Sequence, residues 1–176
     1  MATTYTLIDK ATVGALGSSS VAFTSIPNTY TDLQILISAR TTANPAVSQS
    51  IFMKMNNLTT SIYSQKALEG NGASASSFNQ SGVDNAVRLA IANGSSSTSS
   101  TFSSSSIYIP NYLSSNNKSI SVDTVAETNA TTQYMNLIAY LVSSNAAITD
   151  LTFTTETAAV SFAQYSTFHL YGIKNS

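Results

Sequence analysis

Apolar and polar side chains alternate one for one over most of this chain. That is the period of an extended strand, whose successive side chains point to opposite faces. The clearest case is "YTDLQILISART". Leu33, Ile35, Ile37 and Ala39 fall on one face and Asp32, Gln34, Ser38 and Arg40 on the other, with Leu36 as the exception. Residues 118–127 set Ile120, Val122 and Thr124 against Ser119, Ser121 and Asp123. In "QYMNLIAYLVSS" Tyr134, Asn136, Ile138 and Tyr140 share one face, and Met135, Leu137, Ala139 and Leu141 share the other. Strands are also predicted over residues 3–9, over 20–26 before the Pro27-Asn28 break, and at "SIFMKMNN" with Ile51, Met53 and Met55 on one side. Others fall at 85–93 with Val87, Leu89 and Ile91, at Ile107 and Ile109, and over 146–156, where one extra residue predicts a bulge near Asp150. Residues 61–68 fit either a strand or a helical turn. The small-residue stretches 69–82 and 94–100 read as loops, the second a mobile one.

About ten short strands at roughly 8–15-residue spacing, with almost no helical pattern, predict an all-β fold: an antiparallel two-sheet sandwich, jelly-roll-like, with a closed barrel as the second choice. The length of 176 residues suits a single β-sandwich domain, 1–176. The last strand, "STFHLYGI", predicts more. Tyr165, Thr167, His169 and Tyr171 line one face; Phe168, Leu170 and Ile173 line the other, with Gly172 shifting the register. A strand apolar on both sides is normally covered on both sides, so it should return between earlier strands. Leu33, Ile35, Ile37, Leu170 and Ile173 are then expected to be buried together.

Composition narrows the functional classes. Charged residues make up 9% of the chain and the net charge is −1, against roughly 25% charged in an ordinary soluble domain. The seven Lys and Arg residues are scattered, which argues against a nucleic-acid partner. No apolar run reaches the length of a membrane span, so no membrane partner is expected. The first residues lack the basic and apolar segments of a secretory signal. Sequons such as Asn57-Leu58-Thr59 and Asn129-Ala130-Thr131 therefore read as chance matches. With no cysteine there is no disulfide, thiolate metal site or thiol nucleophile. The polar surface is built from Ser, Thr and Asn, which suits packing against protein or sugar better than free monomeric life.

Candidate chemistry is sparse. The single histidine, His169, has no H-x-E or H-E-x-x-H context, and no G-x-S-x-G elbow occurs. The eight acidic residues stand singly, without the spacing of a glycosidase pair or a calcium loop. "EGNGAS" and "ANGSSS" lack the lysine and following helix of a phosphate loop. No enzyme activity and no cofactor are expected. Tyr63, Tyr108, Tyr112 and Tyr165, near predicted loops or edges, could stack on sugar or anchor an interface, or simply be ordinary strand residues.

"FTSIPNTYTDLQILISAR", "FMKMNNLTTSIYSQKALEGNG", "SIYIPNYLSSNNKSISV" and "AAITDLTFTTE…FAQYSTFHLYGIKN" occur in this order. The chain in this respect resembles a group of small virion structural proteins of tailed phages, cyanophage-like, from about residue 20 onward. The shared pattern is an "IP-x-TYTDL" strand, an "FN-x-x…Y" segment, an "I-x-IPNY…K" segment and a terminal "S-x-F-x-LYGI". "FMKMNN" departs from the "R-F-N-G" type of turn usual in that group. The resemblance implies a β-rich component of the virion, assembled in the bacterial host cytoplasm, with no catalytic constellation. It implies a capsid decoration or cement protein that binds capsomers; the alternative is a tail-fibre or receptor-binding protein recognising a host glycan. Partners would be the major capsid protein or tail proteins. The absence of a shaft repeat favours the shell. Virion symmetry makes a homo-oligomer the expectation, a trimer first and a dimer next. Tyr165, Phe168, Leu170 and Tyr171 of the terminal segment 165–176 are the expected interface residues.

Overall fold

A computed structural model describes residues 4–83, 88–129 and 133–174. Thr3, Asp84, the predicted strand start at 85–87 with Val87, Ala130-Thr131 and residues 175–176 lie outside the described residues. Among the described residues the strands are β1 (Tyr5–Thr12), β2 (Ser20–Phe23), β3 (Asp32–Ala39), β4 (Ser48–Met55), β5 (Tyr63–Gly70) and β6 (Ala75–Val83). They continue with β7 (Arg88–Asn93), β8 (Ser103–Ile109), β9 (Lys118–Ala126), β10 (Tyr134–Val142), β11 (Leu151–Thr155) and β12 (Thr167–Ile173). An eight-stranded sheet runs β1-β12-β3-β8-β9-β10-β5-β6 and a four-stranded sheet runs β2-β11-β4-β7. Every pairing between strands is antiparallel. The fold is the expected all-β two-sheet sandwich, jelly-roll-like in that the chain passes repeatedly from one sheet to the other.

The alternating pattern fixes which faces meet. Leu33, Ile35 and Ile37 of β3, Phe168 and Leu170 of β12, Ile107 and Ile109 of β8, and Ile138 and Tyr140 of β10 point inward from the large sheet. Val21, Phe23, Ile51, Met53, Leu151 and Phe153 meet them from the small sheet. Aromatic rings join the two layers: Phe153 lies 5.5 Å from Phe168, which lies 5.0 Å from Phe162, within the range where tilted and edge-to-face pairs attract. The final strand is interior to the large sheet, inserted between the edge strand β1 and β3. Ile173 is buried, but it sits outside this cluster, one step past Gly172.

Three local expectations are corrected, and the 94–100 loop, present as expected, is tied down by hydrogen bonds. Residues 69–82 are not a loop. The end of β5 and most of β6 lie there, paired from Gly70↔Ala75 to Gln65↔Gln80. An edge strand exposed along most of its length needs no apolar face, because its partner's ladder holds it. The 94–100 loop closes tightly around Arg40, whose guanidinium donates to the carbonyls of Ser95, Ser97, Thr98 and Thr101 at 2.9–3.1 Å. Gly172 causes no register shift, since β12 pairs evenly with β3 through Gly172↔Leu33 and Ile173↔Asp32. The shift lies in β1, between Leu7 and Asp9. There is no bulge at Asp150 either: β11 begins at Leu151, and the preceding loop is clamped by Asn56, whose Oδ1 accepts from the Thr149 and Asp150 amides at 2.8 and 3.1 Å.

Candidate interaction surface

The residues expected at an interface fall into different environments. Phe168 and Leu170 are wholly buried in the core. This corrects the expectation for these two: their side chains point toward the small sheet and offer nothing to a neighbour. Tyr171 points the other way, half-buried on the outer face of the large sheet beside His169, with ring centroids 6.4 Å apart. Tyr165 is 68% exposed, in the loop before β12, with a positive φ of 71°. Its amide donates to the Val13 carbonyl. That bond ties it to the β1–β2 turn, whose Leu16 is fully exposed. Of the other tyrosines considered, Tyr63 and Tyr112 are buried to 0% exposure and so cannot stack on a sugar. Tyr108 is half-buried and committed to Asp32.

The segments "IPNTYTDL", "SIYIPNY" and "LYGI" converge and hold one end of the sandwich together. Asp32 of "IPNTYTDL" accepts from the Tyr108 hydroxyl and the Asn111 amide of "SIYIPNY", both at 2.8 Å. The Tyr112 hydroxyl donates back to the Pro27 carbonyl. Tyr30 lays its ring on Gly172 of "LYGI", where an added Cβ would stand 2.3 Å from it. Lys118 folds back to donate to the carbonyls of Ser114 and Asn116 at 2.8 and 2.6 Å. Burial raises the Tyr112 phenol and lowers the Lys118 ammonium from their ordinary values. Tyr108 is raised as well, first because its proton is held by Asp32. These side chains are therefore spent on structure. Among the described residues no group of three His, Asp or Glu comes together that could hold a metal.

A cleft of about 370 Å³ opens where β5 and β6 overhang the small sheet. Arg88 fills it chemically. Its guanidinium bonds Glu69 at 2.8 Å and Ser50 at 3.2 Å, and stands 5.2 Å over the Phe78 ring. Phe78 is thus already covered on one face by a cation that is itself paired.

The most exposed apolar group among the strands lies elsewhere, on the outer face of the large sheet. On β10, Met135, Leu137, Ala139 and Leu141 all point to solvent. Leu137 stands directly opposite Leu68 of β5, and Met135 opposite Val125 of β9. Leu68 and Met135 are 62% exposed and Leu137 58%. Scattered exposed leucines are ordinary; a contiguous strip flanked by serines marks a contact surface. Compared with known proteins, the chain matches no family model, no curated protein and no solved structure. The surface must therefore be read from its own chemistry.

The signal for this strip is present in the sequence. β12 reads as apolar on both faces, and its outer positions are Thr167, His169 and Tyr171, which are amphipathic. β10 carries three large aliphatic side chains on its second face as well as Ile138 and Tyr140 on its first. Two-sided apolar alternation in the strand next to an edge hairpin was the stronger signal.

Proposed function

We propose that this protein is a structural component of a phage virion, a capsid decoration or cement protein that stabilises the shell by attaching to capsomers. It acts by adhesion and not by catalysis. The observation that carries this reading is the apolar strip of Leu68, Met135, Leu137 and Leu141 on the outer face of the large sheet. These side chains are 37–62% exposed, so covering each would contribute about 1 kcal/mol, a part of the value for full burial. A weakly charged surface lets another protein approach without a desolvation cost for ion pairs. The motif resemblance supports the virion assignment, and the segments that carry it build the hydrogen-bonded end of the sandwich. The tail-fibre reading would need a glycan site, and the cleft between β5, β6 and the small sheet holds the paired Arg88 and Glu69. The test is the stoichiometry of the protein in purified virions by quantitative gel. Copy numbers comparable with the major shell protein are expected. A few copies per particle would move the protein to the tail, and absence from the particle would overturn the virion assignment.

A further inference from the structure

We infer that Asn71 is a site of self-modification. Its side-chain amide is exchanged for a carboxylate through attack by the chain's own Gly72 nitrogen, and the new charge loosens the contact strip beside it. The chemistry follows from the turn itself. Its effect on attachment rests on the outer-face strip being the contact surface, as proposed above. The sequence holds two Asn-Gly pairs, Asn71-Gly72 and Asn93-Gly94. A glycine after asparagine leaves its amide nitrogen unhindered, because no Cβ stands beside it. The fold treats the two pairs oppositely.

Asn71 and Gly72 begin the turn between β5 and β6, Asn71 half-buried and Gly72 exposed, with a φ of 85°. The Asn71 Oδ1 accepts from the Ala73 and Ser74 amides at 3.0 and 2.8 Å and from the Ser74 hydroxyl at 3.3 Å. These bonds fold the side chain over the intervening Gly72 peptide. They also set three donors on the oxygen that gains negative charge when Cγ is attacked, as an oxyanion hole does. In the step, the Gly72 nitrogen loses its proton to hydroxide and bonds to Cγ, closing a five-membered imide. The Cγ–Nδ2 bond breaks, and the departing nitrogen takes a proton from water and leaves as ammonia. Water then opens the ring at either carbonyl, giving aspartate or isoaspartate. Asn93, by contrast, is 0% exposed, its Oδ1 accepts no hydrogen bond, and Gly94 is wedged against the Ala46 carbonyl. It lacks solvent access and oxyanion donors alike. The position of Asn71 gives the exchange its consequence. Gly70 pairs with Met135 at the end of the apolar strip, and Asn71 shares a cleft of about 260 Å³ with Met135 and Glu127. A carboxylate at 71 adds a negative charge there, which a partner covering Met135 must desolvate.

Peptide mapping by mass spectrometry, after storage of the full chain in mildly alkaline buffer, tests the chemistry. Asn71 is expected to convert about tenfold or more faster in the folded chain than in the urea-unfolded one. Aspartate and isoaspartate should both form, and Asn93 should convert only after unfolding. No conversion at Asn71, or slower conversion in the folded chain than in the unfolded one, would overturn the inference. Aspartate without isoaspartate would do the same, since it marks direct hydrolysis. Attachment is scored separately, on purified particles that lack this protein. Stored wild type and Asn71→Asp should both bind about tenfold more weakly than fresh wild type. Asn71→Gln, whose longer side chain cannot close the five-membered ring, should lose no affinity on storage. Asn71→Asp protein that binds as tightly as fresh wild type would overturn the loosening. Particles that bind none of these proteins defeat the adhesion reading and leave the modification standing on its mass spectrum.

Discussion

Gly172 shows how much a single residue can hide. In the sequence it reads as a break in the alternation of the last strand. In the fold the alternation is unbroken, and the missing side chain makes the seat for Tyr30, whose ring carbons lie 2.3–2.5 Å from where a Cβ would be. No periodicity argument could show this, because the ring comes from a loop more than a hundred residues away. Gly172→Ala is expected to destabilise the protein by about 1–3 kcal/mol, the usual cost of overpacking. The same change in a Tyr30→Ala background should cost clearly less. Denaturant unfolding of the four proteins in this cycle measures the difference, and an unchanged cost would mean that backbone strain, not the ring, sets the penalty. At Ile35 the pattern spoke directly. It lies on a regular inward face and is fully buried, so Ile35→Ala is expected to cost about 2–5 kcal/mol. A loss under about half a kcal/mol would contradict its burial.

Whole elements were legible in proportion to their burial. The strands with one apolar face and one polar face, β3, β9 and β10, lie close to where alternation puts them. β6 is not legible in the pattern, because an edge strand of Ser, Asn and Gln draws its order from β5 and shows no period of its own. The loop after β7 is held for a related reason. Its "GSSSTSS" composition suggests mobility, yet the ordering force is supplied from outside by Arg40. Five guanidinium hydrogen bonds reach this loop, counting the Thr101 hydroxyl at 3.3 Å, and the Ser97 hydroxyl adds a bond to the Val47 carbonyl. Gly94 is fitted against the Ala46 carbonyl, with no space for a side chain. Deleting Ser95–Ser97 is therefore expected to lower the melting temperature substantially. Arg40→Ala should cost about 1.5–3 kcal/mol, the range for hydrogen bonds to a charged group. Thermal denaturation followed by circular dichroism checks both. A melt unchanged by the deletion would restore the loop to the mobile class.

For the molecule as a whole, the scarcity of charge makes the few buried ionisable groups decide how stability depends on pH. Tyr63 and Tyr112 are raised above the ordinary phenol value first by burial, and Tyr108 first by its bond to Asp32. A group whose proton is held more tightly in the folded state contributes stability that is complete below its unfolded pKa, about 10 for tyrosine, and lost as pH rises through the higher folded value. Lys118 has the opposite sign. Burial lowers it from 10.5, so the folded chain gives up this proton before the unfolded one does. Its burial weighs against folding at neutral pH, and that penalty is relieved as pH climbs from the lowered value toward 10.5. The two effects overlap around pH 10, where stability should hold or rise slightly before falling steeply as the tyrosines ionise. Tyr108, Tyr112 and Lys118 sit at the same motif-built end of the sandwich, so alkaline unfolding is expected to begin there. Urea unfolding across this pH range tests the signs one by one. Tyr112→Phe should lower stability at neutral pH by removing the bond to Pro27, and should make the alkaline fall shallower. Lys118→Met should abolish the gain below pH 10.5 and leave the later fall in place. A Lys118→Met protein that lost stability with rising pH just as the wild type does, with no difference anywhere below that point, would mean that the ammonium group is solvated and the buried reading of Lys118 is wrong.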